Sequence, residues 1–368
     1  MHNKDKILIL GKLPPPYFGP AIATKIILSS KLSESFELIH FDTKLNREIT
    51  ELGKFGIRKL FDIPVQYLRF IKIIFTRHPA LILIPIGQTT FGFIKDSLFV
   101  LIGKTFRRKI LIQLRGSNIK NWLKASGQMM NKYFSFTMKR ADGVIVLGNN
   151  LRYIFEDYFP GDKIFVVPNG GNYSIPVKEA EQNKFNILYL SNPQQSKGFD
   201  DVIEAVNLIS NNSGIKFELN VVGRFVYPED EKKIITFLAE TKLPVRIFPP
   251  ADGNSKLKYL ANADVLVFPP REPEGHPWVI VEAMAAGLPV ISTDQGAIIE
   301  SIIDGVNGFI VEPNSPKQIA EKLELLIKNE ELRKRMGKES RRLYEENFTE
   351  DKMVERLKNV FESVLNQT

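Results

Sequence analysis

The stretch VLVFPPREPEGHPWVIVEAMAAGLPVISTD, residues 265–294, decides the fold class. An apolar run at 265–268 precedes a polar loop, and residues 278–286 follow with a helical pattern that Gly287 ends. A second apolar run begins at Pro289. Short apolar strands that alternate with helices are typical of a parallel sheet covered by helices on both faces. The stretch therefore predicts a strand–helix–strand unit of an α/β protein.

The same alternation runs through most of the chain. Turn-forming and polar residues interrupt it at 168–184, beginning around VPNGGNYSIP, residues 167–176. We therefore predict two doubly wound domains, residues 1–168 and 169–350, and a final amphipathic helix at 351–365. The predicted strands are 7–10, 81–84, 110–112, 144–147 and 165–167 before the break, and 187–190, 219–222, 265–268, 290–291 and 309–311 after it.

Composition excludes several kinds of site. The chain has 368 residues, no cysteine and four histidines, so disulfides, thiolate nucleophiles and cysteine-based zinc sites are absent. The histidines never approach metal-ligand spacing, and we predict no bound metal. The net charge of +8 is unevenly divided: residues 1–150 hold 24 basic and 9 acidic side chains, and residues 151–368 hold 26 and 33. A basic half of this kind is expected to meet an anionic partner, either nucleic acid, a membrane surface or a phosphorylated substrate.

Two glutamates in the opening stretch are the first candidates for ligand contacts. Glu274 lies just before the predicted helix, and Glu282 lies eight residues later within it. Two helical turns separate such residues by ~12 Å along the axis. That is too far for the carboxylate pair of a retaining glycosidase, which needs ~5–5.5 Å. The spacing instead fits two contacts on an elongated ligand whose phosphate lies at the helix N-terminus.

The order of these residues resembles a known family. Glu274-Gly275, followed by Glu282 and the run AMAAGLPV at 283–290, resembles the signature of the family 4 retaining glycosyltransferases (glycosyl transferases group 1). The downstream GAIIESIIDGVNGFIVEP, residues 296–313, resembles the family's continuation. The resemblance implies the GT-B fold, in which two doubly wound Rossmann-like domains face each other across a deep cleft. The first domain would bind the acceptor, the second the nucleotide sugar, and the helix 351–368 would pack back on the first domain.

The resemblance also implies roles for single residues. Glu274 would contact hydroxyls of the donor sugar and Glu282 the ribose, while Lys197 before Gly198 would bind the donor diphosphate; Glu274 and Lys197 are the predicted catalytic residues. Asn192 stands where the family has an arginine, and Arg224 after Gly223 would compensate for the lost charge. The other predicted donor-binding residues are Gly19, Pro20, Gly275, His276, Pro277, Trp278 and Val279.

Three of these positions leave more than one interpretation open. Arg115-Gly116 replaces the His-Gly of the family, and an arginine that stays charged cannot shuttle protons. Arg115 could pair with the donor phosphate or an anionic acceptor, or it could be an arginine at the edge of the core. Pro277 removes one backbone N–H beside the sugar. His276 could donate to the sugar or serve a structural role.

Substrates and location are expectations that rest on the resemblance and the charge. The donor would be a UDP- or GDP-linked sugar, no cofactor or metal is expected, and the anomeric configuration would be retained. Residues 117–140 interleave basic and aromatic side chains, which suits contact with an anionic membrane and a glycan or lipid-linked acceptor. The helix 65–75 instead has a core-like pattern with a narrow polar stripe, Gln66, Arg69 and Lys72. The short apolar run at 7–10 predicts no signal peptide and a cytoplasmic protein.

Two other functions remain open at this point. The chain could be a non-catalytic GT-B partner subunit, an alternative that Asn192 and Arg115 favour, or another nucleotide-sugar enzyme of this fold, such as an epimerase. Nucleic-acid binding is not expected, because the lysines of the basic half follow no recognised module.

Overall fold

The computed structural model describes residues 4–15, 18–44, 57–179, 184–210 and 216–367. Pro16 and Tyr17 of the predicted glycine loop, and residues 180–183 of the predicted linker, lie outside the described residues. The chain forms two compact units. Unit 1 comprises Met1–Asn169 and Glu350–Thr368, and unit 2 comprises Gly170–Thr349.

Unit 1 contains a parallel sheet of six strands in the order β2-β1-β3-β4-β5-β6. Its central strands are almost wholly apolar and buried, because helices cover both faces of a parallel sheet. The strands are β1 (Lys6–Gly11), β2 (Glu37–Asp42), β3 (Leu81–Pro85), β4 (Lys109–Gln113), β5 (Gly143–Val146) and β6 (Ile164–Val166). The helices are α1 (Gly19–Ser29), α2 (Leu32–Ser35), α3 (Ile57–Arg77), α4 (Thr90–Thr105), α5 (Ile119–Ala125) and α6 (Gln128–Met138), with short 3₁₀ helices at Asn149–Ile154 and Gly161–Lys163.

Unit 2 repeats this architecture with a parallel sheet in the order β12-β11-β10-β7-β8-β9. Its strands are β7 (Phe185–Leu190), β8 (Phe217–Val222), β9 (Val245–Phe248), β10 (Val265–Phe268), β11 (Val290–Thr293) and β12 (Gly308–Val311). Its helices are α7 (Phe199–Ser210), α8 (Pro228–Thr241), α9 (Gly253–Asn262), α10 (Trp278–Ala285), α11 (Pro316–Lys328) and α12 (Glu330–Asn347), with 3₁₀ helices at Gln195–Lys197 and Ile298–Glu300. The predicted class of two doubly wound α/β domains is confirmed.

The last helix, α13 (Glu350–Asn366), belongs to unit 1, where it packs against α2 and β4. Its apolar stripe supplies the contact: the Phe361 ring lies 5.7 Å from that of Phe36 with an edge-to-face orientation. At the helix start, Lys31 Nζ lies 3.1 Å from Asp351 Oδ1.

The sequence analysis missed two strands, and both are at sheet edges. β2 and β9 each pair with one neighbour only, and they alternate between buried and exposed residues or are half-exposed throughout. A search for apolar runs therefore finds the central strands and the apolar edge strands β6 and β12, and it overlooks β2 and β9. No described helix is long and apolar enough to cross a membrane.

Candidate active site

Three loops of unit 2 meet at the carboxyl edge of the sheet, which is the side where its parallel strands end. They follow β7, β8 and β10, which are neighbours in the sheet and end at the same side because all strands are parallel. The loop after β10 leads into the N-terminus of α10. Ligands of doubly wound sheets bind at this edge. The predicted donor-binding residues of unit 2 lie on these three loops and on α10.

Lys197 and Glu274 come together although 77 positions separate them. Lys197 ends the 3₁₀ turn after β7, and its Nζ contacts Glu274 Oε1 in the loop after β10. The lysine side chain is 31% exposed and the glutamate 17% exposed. The pair is therefore reachable from solvent on one side, and it presents an ammonium and a carboxylate to any ligand at this edge.

The backbone around Lys197 is held by the loop after β10. Gly198 has φ +70°, and a Cβ at this position would lie 1.9 Å from the carbonyl oxygen of Pro269. Only glycine fits such a close approach of two chain segments. The Arg271 N–H donates to Ser196 O at 3.0 Å and reinforces the contact.

A buried ion pair, missed by the sequence analysis, anchors the same loop. Arg271 donates from Nε and Nη2 to the two carboxylate oxygens of Asp201, at 2.8 and 2.7 Å. This fork-shaped pairing fixes both orientation and distance. Asp201 lies in the first turn of α7, 70 positions from Arg271, so nothing in the linear sequence links them.

Glu282 lies on α10 and is almost fully buried. Burial raises the pKa of its carboxyl, and Lys256 Nζ, which contacts Oε1, opposes this rise. Lys256 is on α9 and was not among the predicted site residues. A buried carboxylate with a single cation as partner keeps acceptor capacity for hydroxyl groups of a ligand.

Asn192, which replaces the arginine expected from the resemblance, ties two loops together. Its Oδ1 accepts a hydrogen bond of 3.1 Å from the N–H of Arg224. Gly223 permits the approach, since a Cβ there would lie 2.1 Å from Ser191 O. The Arg224 side chain is exposed and forms no ion pair with any residue that the structure describes. Among the described residues of these three loops, Arg224 therefore offers a cation that is not engaged in an ion pair.

The segment from Glu274 to Pro277 is held by the loop after β11. Gly275 O accepts from Ala297 N at 2.8 Å. Gly296 has φ +62°, and a Cβ there would lie 1.8 Å from Glu274 O. This support was not predicted, because its residues contribute backbone atoms that carry no sequence signature.

His276, Pro277, Trp278 and Val279 lie at the start of α10. The His276 ring is 3% exposed, and its Nε2 lies 2.6 Å from Ser301 Oγ. This contact gives His276 a structural role, and its contact with the donor sugar stays a prediction. Pro277 is the N-cap residue, and Trp278 is buried behind it while Val279 is half-buried.

In unit 1, Gly19 and Pro20 form the first residues of α1. Arg115, after β4, donates from Nη1 to the carbonyl oxygen of Pro20, so it supports the glycine loop from within unit 1. Gly116 lies against Gln88, whose Nε2 would be 2.0 Å from a Cβ. The predicted residues of unit 1 thus lie at the start of α1 and after β4.

The surface of unit 1 corrects one interpretation of the sequence. In α3, Gln66 of the predicted polar stripe is buried, while Val65, Leu68 and Phe75 are exposed beside Arg69 and Lys72. The core-like interpretation of α3 was wrong, because only part of its apolar side chains, among them Phe70 and Ile74, are covered by the rest of unit 1.

The predicted basic segment 117–140 forms α5 and α6 with part of its aromatic content in the core. Trp122 packs 5.4 Å from Phe93, and its Nε1 donates to Thr90 Oγ1 at 3.1 Å. Met129 and Phe136 remain exposed on α6, the latter beneath the guanidinium of Arg140. Helix α4 packs against both α3 and α6.

Comparison with known proteins agrees with this geometry. Residues 174–343 match the family described as glycosyl transferases group 1. An uncharacterized glycosyltransferase of Methanocaldococcus jannaschii is 28% identical over 271 residues, 72% of each chain. The capsular polysaccharide biosynthesis glycosyltransferase CapM of Staphylococcus aureus is 31% identical over 190 residues, which is 50% of this chain and 48% of CapM.

A solved structure of HepE from Anabaena, in complex with UDP-glucose, has the same fold. Its TM-score is 0.72 at 17% identity, over 97% of this chain and 99% of HepE. The family match spans the strands and loops that carry Lys197, Glu274 and Glu282. Residues 174–343 therefore match the group 1 glycosyltransferase family, and the chain is similar to glycosyltransferases over about 72% of its length.

Proposed function

We propose that the protein transfers a sugar from a nucleotide donor to an acceptor hydroxyl with retention of the anomeric configuration and without a metal ion. The observation that carries the proposal is the Lys197–Glu274 pair, which lies at the same sheet edge as the buried Glu282. In this proposal Glu274 accepts from hydroxyls of the sugar and Glu282 from those of the ribose. Lys197 pairs with the diphosphate between them.

The ion pair gives the site a simple way to receive a charged donor. Lys197 can move its ammonium from Glu274 to a diphosphate oxygen, because its side chain is flexible and partly exposed. Glu274 then accepts from sugar hydroxyls. Positive charge at the leaving diphosphate lowers the barrier to bond cleavage, since negative charge develops there in the transition state. Arg224 adds a second cation from the loop after β8.

We extend the proposal to the donor and to the stereochemistry of the transfer. We favour a UDP-linked hexose over a GDP-linked one, because HepE, which shares the fold, has been solved with UDP-glucose. No described side chain is placed in this proposal as a nucleophile. The leaving phosphate takes the acceptor proton on the face from which it departs, so the new bond forms on the same face as the old one.

The proposed acceptor is a lipid-linked glycan of a surface polysaccharide. Two features support it: the similarity to CapM, a capsular polysaccharide enzyme, and the surface of α3, α4 and α6, which exposes apolar side chains between basic ones. Such a surface binds anionic bilayers with ~1 kcal/mol for each basic residue near the lipid. We place peripheral membrane contact here, including the exposed part of segment 117–140.

Vesicle flotation tests the membrane contact. Leu68→Glu with Phe75→Glu should abolish flotation with phosphatidylglycerol vesicles at low salt. The control is Val177→Glu, which alters a still more exposed apolar side chain in unit 2. Equal flotation of all three proteins, or none with the unaltered chain, contradicts membrane contact through this surface.

Nucleotide release tests the transfer itself. The protein is incubated with UDP- and GDP-linked hexoses and a lipid-linked acceptor extract, and the anomer of the product is read from its NMR coupling constant. Glu274→Gln should lower turnover by at least about 100-fold, as for other groups that act at the reacting centre. Glu330→Gln, on the exposed start of α12, is the control. Full activity of Glu274→Gln, or an inverted product, contradicts the proposal, and no release with any donor favours a partner subunit.

A further inference from the structure

A cavity lies in unit 1, at the carboxyl ends of β1, β3 and β4. Its volume is about 340 Å³, which is near the lower end for small-molecule sites. The polar residues that line it include Lys12, Gln88, Lys95, Asp96 and Arg115. The side chains of Phe18 and Ile86 provide apolar wall between them. The cavity therefore combines a cationic interior with room for one small group.

The charge of Arg115 is not neutralised by any residue that the structure describes. Its Nε donates to Gln113 Oε1 at 3.0 Å, and Nη1 donates to Thr24 Oγ1 at 2.8 Å and to Pro20 O, all uncharged acceptors. Nη2 is buried and has no hydrogen-bond partner. Burial lowers the pKa of the guanidinium to about 10, with no carboxylate to oppose the effect. A buried cation without a counter-ion is costly to keep.

Lys12 adds a second cation to the cavity. It follows β1, is half-buried and, within the described ranges, forms no ion pair; its Nζ lies 5.9 Å from the Phe18 ring centre. Burial, and then the charge of Lys95, lower the pKa of the Lys12 amine, and the charges of Asp96 and Asp42 oppose this only in part. Neighbouring cations that depress each other's protonation are the arrangement that a bound anion would relieve.

The carboxylate of the cavity cannot fill this role, because it is already used. Asp96 Oδ1 lies 2.6 Å from Lys95 Nζ, and its Oδ2 accepts from the N–H of Gly87 at 2.8 Å. Lys95 and Asp96 thus neutralise each other. The positive charges of Lys12 and Arg115 remain as the surplus of the cavity.

We propose that this cavity binds an anionic group of the acceptor, a phosphate or a carboxylate, through Lys12 and Arg115. The inference rests on the proposed transferase function, since it takes unit 1 to bind the acceptor. It chooses among the interpretations of Arg115 left open by the sequence, and it adds Lys12, which no motif identified. Phosphate and carboxylate share the chemistry that these cations recognise, and two pairs of probes distinguish them.

The test measures binding of small probes to the full chain by calorimetry and ligand-detected NMR. Glycerol 1-phosphate is compared with glycerol, and glucuronate with glucose. Saturating UDP is present throughout, so that Lys197 and Arg224 do not capture the probe. We expect one anionic probe to bind at least about 10-fold more tightly than its neutral partner, which is the scale of a hydrogen bond to a charged group.

Two variants assign the binding to the cavity. Lys12→Met and Arg115→Met should each weaken the anionic probe roughly 10- to 100-fold. Lys25→Met, an exposed lysine of α1, removes the same charge elsewhere and should have no effect. Lys12 makes no hydrogen bond in the described part of the chain, so its variant stays informative even if Arg115→Met disturbs the glycine loop.

The outcomes separate this inference from the proposed function. Equal binding of neutral and anionic probes, or an affinity that Lys12→Met leaves unchanged, overturns the anionic site. UDP affinity should be the same in Lys12→Met and the unaltered protein. Sugar transfer without anion binding refutes only the cavity, and anion binding without sugar transfer refutes only the transferase.

Discussion

The buried pair of Glu282 and Lys256 allows a prediction with a calculable magnitude. Lys256→Met removes the cation and leaves a side chain of similar length. Glu282, whose side chain is only 4% exposed, then has no charged partner in the described structure and cannot reach water. It must either stay ionised in an apolar surrounding or take up a proton.

Protonation sets the upper limit of the cost. An ordinary carboxyl of this type has a pKa near 4.5, so protonating it at pH 7 costs at most about 3.4 kcal/mol, at about 1.36 kcal/mol per pH unit. The same reasoning gives at most about 2 kcal/mol at pH 6 and about 0.7 kcal/mol at pH 5. The free energy of unfolding that the variant loses is smaller than this limit, because burial of Glu282 already costs stability in the unaltered protein.

The sign of the pH dependence follows from the raised pKa of Glu282. The folded protein holds this proton more tightly than the unfolded chain, so stability falls as pH rises from about 4.5 through the folded-state pKa. Lys256 lowers that pKa, so removing Lys256 raises it, and the stability then continues to fall up to a higher pH. The variant should therefore nearly match the parent at pH 5 and differ most at pH 8.

Fluorescence of Trp278 offers an assay confined to unit 2. The chain has two tryptophans, so a Trp122→Phe background leaves Trp278 as the only indole. Urea unfolding at pH 5, 6, 7 and 8 gives the free energy of unit 2. The double variant Lys256→Met with Glu282→Gln is the control, since an uncharged amide no longer needs a counter-ion.

Two results would refute the reasoning. One is a Lys256→Met variant whose stability relative to its parent is the same at pH 5 and pH 8. The other is a double variant that regains none of the lost stability. If Glu282 also binds the donor ribose, the double variant should regain stability without regaining affinity for UDP, which calorimetry measures.

The same fluorescence titration checks two further changes. Gly198→Ala should destabilise unit 2 more than Gly305→Ala, because both have positive φ but only at Gly198 would the Cβ meet a carbonyl, that of Pro269; Gly305→Ala should cost about 1 kcal/mol. Equal losses would argue against the clash. Asp201→Asn should cost about 3 kcal/mol, because it leaves the mostly buried guanidinium of Arg271 without its carboxylate. A loss under about 1 kcal/mol would mean that this pair holds the loop no better than a surface ion pair.

Much of the fold could be read from the sequence because central strands of a parallel sheet are apolar on both faces. The runs at β1, β3, β7 and β10 are of this kind. The edge strand β2 is not, because one of its sides lacks a neighbour. The outer face of α3 misled for a related reason: composition shows that apolar residues are present, and burial depends on which of them the neighbouring helices cover.

The site divides in the same way. Spacing within one stretch brought out Glu274 and Glu282, and the resemblance added Lys197. Neither pairing was predicted, because Lys256 is 26 positions from Glu282 and Lys197 is 77 positions from Glu274. Short-range patterns carry no information about pairs at that separation.

The sequence by itself determined the two doubly wound sheets, because strand burial and helix periodicity are local properties. The donor-binding residues were predicted from its resemblance to a family. Only the tertiary structure decided which charges are neutralised. It paired Lys197 with Glu274 and Lys256 with Glu282, and it left Arg115 and Lys12 without an ion pair in the described chain. The reason is that charge compensation depends on distance in space, which the folding of remote segments onto one sheet edge sets.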